Sequence, residues 1–150
     1  MADKLESILV GVAGEYLVAG ELTLRGYLAS ITLRNSRGID IIVSNADGSL
    51  SISIQVKTNS SGKKSWRLTK KAEQFYSENH YYVFVALQGL GQRPNFHIVP
   101  SKVVADSISF SHSEWLKGKK PDGGRRKDSA IRVFADNEDR FLEAWALIQL

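Results

Sequence analysis

The sequence predicts an α/β layer structure built on a mixed sheet, and three observations predict it. Apolar residues at helical spacing open the chain, an alternating hairpin around Asp47-Gly48 follows, and β-branched and aromatic runs resume after residue 80. At 150 residues and 43% apolar content the chain is long enough for one core, so a single domain over 1–150 is expected.

The elements follow in order. Leu5, Ile8, Leu9, Val12, Tyr16, Leu17 and Leu24 trace the inward stripe of a first helix, which Gly26 stops. Residues 27–33 read as a strand, 34–38 as a loop, and 38–59 as the hairpin. Thr69 is placed to cap a second helix running to about residue 78, and the aromatic, β-branched stretch 80–87 suits a buried strand. Residues 95–99 form a further strand, and Pro100-Ser101 opens a short helix with Val103, Val104 and Ile108 on one side. The core thus spans about 5–105. A last strand at 130–134 and a closing helix at 138–150, with Phe141, Leu142, Trp145 and Ile148 or Gln149 turned inward, complete it. Between them "KGKKPDGGRRK" combines charge and helix breakers without an apolar anchor, which predicts an exposed loop.

Composition narrows the function. Twenty Lys and Arg against sixteen Asp and Glu leave a formal charge of +4, which suits an anionic partner. There is no cysteine, which excludes a thiolate zinc site and a cysteine nucleophile and fits a reducing, cytoplasmic setting. The first residues lack the pattern of a signal peptide, and the longest purely apolar run, 81–87, is too short to span a bilayer, so no membrane association is expected.

The hairpin carries the informative residues. A two-residue turn at Asp47-Gly48 sets a register in which partner numbers sum to ninety-five. Ile41 and Val43 then gather with Ile54 and Ile52, Ile39 with Val56, and Asp40 faces Gln55 on the opposite side. Lys57 shares that side, and its cross-strand partner Gly38 leaves room beside Asp40. Taken alone this is either a solvated polar face or a pocket. Glu15 adds to the second reading: three residues after Val12 and four before Ala19, it projects from the apolar stripe, where an unpaired carboxylate costs several kcal/mol. Gly11, Gly14 and Ala19 would let its helix approach the sheet closely. Two carboxylates and an amide oxygen are hard ligands of the kind that hold Mg²⁺, and a nearby ammonium can orient a bound water.

These residues resemble the PD-(D/E)XK nuclease superfamily, including its small restriction-type and Holliday-junction-resolvase-like members. In that pattern Glu15 of "GEYLVAGEL" is the helix acid, Asp40 of "GID" the metal-binding aspartate, and Gln55-Val56-Lys57 the (D/E)XK element, with "YYVFVAL" and "FHIVPS" adding to the likeness. The resemblance implies a restriction-endonuclease-like αβββαβ core, a central mixed sheet flanked by helices. It also implies Mg²⁺ (or Mn²⁺) held by Asp40, Glu15, Gln55 and the carbonyl of Val56, with Lys57 stabilising the attacking hydroxide or the phosphorane-like charge, and DNA as the substrate. Gln55 departs from the consensus acid. With two negative charges in place of three, the ion should bind less tightly and together with substrate.

Arg34, Arg37, Lys63, Lys64, Arg67 and Lys70 flank the motif and are the expected phosphate contacts, each of them equally compatible with a plain soluble surface. Trp66 is placed either to stack on a base or to pack on the core. His80, His97 and His112 share no ligand spacing, and neither a phosphate-binding loop nor a serine elbow is present. The expectation is a Mg²⁺-dependent DNA endonuclease of restriction, repair or recombination, with a homodimer through its last helix as one option. The rivals are a binding module that keeps the fold without cutting and an interaction protein whose polar cluster is structural.

Overall fold

The computed structural model describes residues 4–33 and 37–150; Arg34, one of the expected phosphate contacts, lies outside them. The elements are α1 (Ser7–Leu24), β1 (Leu28–Ile31), β2 (Ile41–Ser44), β3 (Ser51–Asn59), β4 (Ser65–Thr69), β5 (His80–Ala86), β6 (Asn95–Pro100), α2 (Ser101–Lys117) and β7 (Ile131–Ala135). Strands β1-β2-β3-β5-β6 make one sheet, antiparallel at every pair except the parallel β3–β5 step. Strands β4 and β7 pair separately as a two-stranded ribbon.

The hairpin register holds. Ile41 pairs with Ile54 and Val43 with Ile52, each pair summing to ninety-five as the alternation requires. The turn itself is wider than two residues: Gly48 N–H donates to Asn45 O, Asn45 N–H to Leu50 O, and Gly48 takes φ 73°. An even number of loop residues preserves the sidedness, which is why the longer turn leaves the isoleucines together.

Helix α1 departs from its expected stripe. Its buried ridge is Val10, Gly14, Val18 and Leu22, while Ile8 and Tyr16 stand 61% and 66% exposed. The helix is apolar nearly all round, so periodicity alone does not choose its inner face. By length and mean hydropathy, 18 residues at 1.4, it also matches a bilayer-crossing helix, yet its ridge packs on the sheet. Gly14 decides the contact: a Cβ there would fall 1.7 Å from Thr58 Oγ1, so only glycine permits this approach. On that face Val18 and Leu22 cover Ile41, Val43, Ile52, Ile54 and Val56.

The opposite face packs differently from the expectation. No α-helix follows Thr69: residues 65–69 are strand β4, and only one 3-10 turn, Lys70–Glu73, precedes β5. The parallel β3–β5 crossover is therefore made by a strand and a turn. Alternation in "SWRLT" explains the strand, since Trp66 and Leu68 turn inward against Phe84 and Phe134 while Arg67 and Thr69 turn outward. Trp66 is 4% exposed and its indole N–H donates to Val85 O at 2.9 Å, so it belongs to the core. Helix α2 is longer than expected, 17 residues, and buries Val104 and Ile108 beneath β5 and β7 while Val103 faces out.

The closing helix is also corrected. Residues 136–150 form an irregular strap with one 3-10 turn at Trp145–Leu147 and positive φ at Asp139 and Glu143. Asp136 sets its path. Its carboxylate accepts hydrogen bonds from the Arg140 and Phe141 N–H groups and lies 2.7 Å from the buried His97 Nδ1. The strap then bridges β6 at Leu142 and sinks Trp145 and Ile148 into the α1-side core.

Candidate active site

The polar side of β3 carries Ser53, Gln55 and Lys57, because the even residues of the strand serve the α1-side core. Parallel pairing sets Gln55 beside Tyr82 and Lys57 beside Phe84. Asp40 stands just before β2, where its N–H donates to Ile54 O at 2.8 Å, the carbonyl of the residue already paired with Ile41. Two residues facing one is the geometry of a β-bulge, which ends the ladder and re-aims a side chain. The Asp40 carboxylate occupies the vacated ladder position, with Oδ2 2.7 Å from Val56 N. Ile39 is thereby shifted off its expected pairing with Val56, and its carbonyl accepts from the Thr32 hydroxyl at 2.6 Å instead.

The electrostatics follow from this placement. Burial raises the Asp40 pKa, and the Val56 N–H and the Lys57 charge offset only part of that rise. Tyr82, almost fully buried beside it, is pushed up to about 12 by burial and by the Asp40 charge, so it stays a neutral phenol. Gly38 lies next to Gln55 rather than Lys57: a Cβ on Gly38 would sit 3.5 Å from Gln55 Oε1 and 3.3 Å from Phe75. Its φ of 66° and this crowding both call for glycine. Glu15 follows Gly14 at the point where α1 touches Thr58, whereas Lys57, one residue earlier on the strand, turns to the other face of the sheet. Glu15 sits half-buried on the shoulder of the α1 ridge.

Asp40 is a half-buried carboxylate whose charge is incompletely offset by the Val56 N–H and the Lys57 ammonium. A carboxylate, the Gln55 amide oxygen and the Val56 carbonyl are hard oxygens of the kind a divalent cation takes, while Glu15 stands on α1, which covers the other face of β3, and among the described residues no three acids or histidines cluster.

The expected phosphate contacts divide. Lys63 and Arg67 are exposed and line a groove of about 530 Å³ with Lys57, Asn59, Ser65 and Val133. Arg37 is exposed on the approach to Asp40. Lys64 is drawn away, its ammonium 2.6 Å from Asp139, and Lys70 belongs to a separate hollow with Thr69 and Gln74. Sequence reasoning missed two residues beside the site. One is Tyr82; the other is His80, whose Nδ1 lies 2.7 Å from Ser53 Oγ in a pocket closed by Phe75. The signal was the parallel register, which sequence alone does not supply.

The sequence matches no protein-family profile and no curated protein. Among solved structures, a bacterial homing endonuclease, I-Ssp6803I, superposes with a TM-score of 0.55 at 13% identity, covering 96% of this chain and 91% of that one. A Holliday junction resolvase, Hjc of Archaeoglobus fulgidus, gives a TM-score of 0.48 at 14% identity over 84% of each chain. The mixed sheet and its covering helix are therefore those of the restriction-endonuclease-like fold.

Proposed function

We propose that the protein is a divalent-metal-dependent endonuclease acting on DNA. The observation that carries the reading is the Asp40 carboxylate, half-buried at a bulge with the Lys57 charge near it and turned from its own ladder to cap Val56. A neutral asparagine could accept from the Val56 N–H without the charge that burial opposes, so the cap alone does not call for an aspartate. The fold shared with a homing endonuclease supports the same reading.

Asp40, with Glu15, Gln55 and the Val56 carbonyl, would hold Mg²⁺ or Mn²⁺. Bound there, the ion supplies Lewis acidity toward a phosphodiester oxygen and lowers the pKa of bound water. The Val56 N–H fixes one Asp40 oxygen and so orients the carboxylate. Lys57 holds positive charge at the mouth of the Arg67 groove, where negative charge grows as the phosphate is attacked. Gln55 contributes an amide dipole without adding a third negative charge, which favours joint binding of ion and substrate over a tightly loaded free site.

Incubation of plasmid, linear duplex and branched DNA with Mg²⁺ or Mn²⁺ tests this. Wild type should cut, while Asp40→Asn and Lys57→Ala should each lose at least about 10²-fold in rate, the scale of one electrostatic contact in a transition state. Cutting that survives both substitutions overturns the assignment. Gln55→Glu should tighten Mg²⁺ binding in a calorimetric titration without DNA.

A further inference from the structure

We infer that the segment 117–127 and the outer face of the β4–β7 ribbon form a second contact surface for the DNA backbone, several base pairs from the scissile phosphate. The inference rests on the nuclease reading and extends it to the path of the substrate.

The sequence alone predicts a loose charged loop here, whereas the structure shows a pinned hairpin. Lys119 bridges Arg125, and Lys120 N–H donates to Gly124 O at 2.9 Å. Arg126 fastens it to α2: its guanidinium donates to Trp115 O at 2.7 Å and lies 4.9 Å from the Trp115 ring centroid. It packs so closely on Gly118 that a Cβ there would meet Arg126 Nη1 at 2.6 Å. Lys119, Lys120, Arg125 and Lys127 are exposed, and among the described residues none of them forms an ion pair. Four like charges held at one place, with Asp122 at the hairpin tip as the one acid among residues 117–127 and no ion pair to it among the described residues, match a polyanion.

The hairpin adjoins a groove that leads back to the candidate active site. One hollow joins Trp115 and His112 to Arg67 and Val133, and the Lys57 hollow has Arg67 and Val133 on its own wall. The two therefore meet along the ribbon, whose outward residues Arg67, Ile131 and Val133 are exposed. The ribbon lies between the two: Ser65 shares the Lys57 hollow, and Ile131, Val133 and Ala135 share the hollow of the hairpin's anchor Trp115. Five residues of strand at about 3.3 Å each span roughly 15 Å. At 3.4 Å per base pair that is about four to five base pairs of duplex.

The test uses fluorescence anisotropy on a labelled duplex, in EDTA so that nothing is cut, across a range of KCl concentrations. The variant replaces the four free cations together (Lys119→Ala, Lys120→Ala, Arg125→Ala, Lys127→Ala), and circular dichroism confirms that it folds. The slope of log K against log salt should shrink by about 0.9 for each phosphate that is no longer neutralised, roughly 2 to 4 in all, and Arg67→Ala should remove about 1. If wild type binds and cuts DNA but the quadruple variant keeps the wild-type slope, the hairpin inference falls and the nuclease reading stands. If the slope drops while no protein cuts any DNA, the contact surface stands and the nuclease reading falls. Binding of anionic lipid vesicles with no DNA binding overturns both.

Discussion

Asp40 shows most directly how one residue ties stability to chemistry. Its pKa is raised by burial, so the folded state holds the Asp40 proton more strongly than the unfolded chain does. The sign follows: below the ordinary aspartate range both states are protonated and there is no penalty, and as pH rises through the raised value the folded state loses stability. Asp40→Asn keeps an acceptor for the Val56 N–H and removes the charge. It should raise the melting temperature at pH 7 and leave it nearly unchanged at acidic pH, as thermal scans at the two pH values will show. The same substitution should abolish cutting, the usual exchange between a poised site and a stable one.

At the scale of elements, the close approach of α1 to β3 places the helix acid near the strand. Gly14→Ala introduces a methyl where Thr58 Oγ1 already sits, and it should cost about 1–3 kcal/mol in denaturant unfolding. Since the helix must back away to admit the methyl, activity should fall further than stability explains, measured at a temperature where the variant is fully folded. This level was partly legible in the sequence. Small residues announced a close approach and alternation fixed the hairpin register, because both are local rules. The inner face of α1 was not legible: with Leu5, Ile8, Leu9 and Tyr16 as apolar as Val10, Val18 and Leu22, only the sheet selects the ridge. Thr69 looked like a helix cap, but the tertiary pairing of Ser65–Thr69 with β7 overrode that local preference.

For the whole molecule, the strap after β7 fastens the far edge of the sheet. Burial alone would push Asp136 upward, but hydrogen bonds from His97 and from the Phe141 and Arg140 N–H groups outweigh it and hold it below the usual carboxylate range. This group therefore stabilises the fold above the ordinary aspartate range, and that contribution is lost as pH falls through its lowered value. Asp136→Ala strips partners from two backbone N–H groups and His97 together. It should cost about 3 kcal/mol or more, and hydrogen exchange should rise first in residues 137–148. In sequence the strap has the look of a helix because its acids and apolar residues fall at helical spacing. A long-range pairing of His97 with Asp136 leaves no trace in such a pattern.

The wall beside Lys57 is built by Arg67 from one half of the chain and Val133 from the other, joined across the β4–β7 ribbon. No contiguous fragment ending before Ile131 owns that wall, although it would keep every residue of the Asp40 cluster. A polypeptide cut short of β7 would therefore keep the residues proposed to hold the ion and lose one bank of the channel beside them.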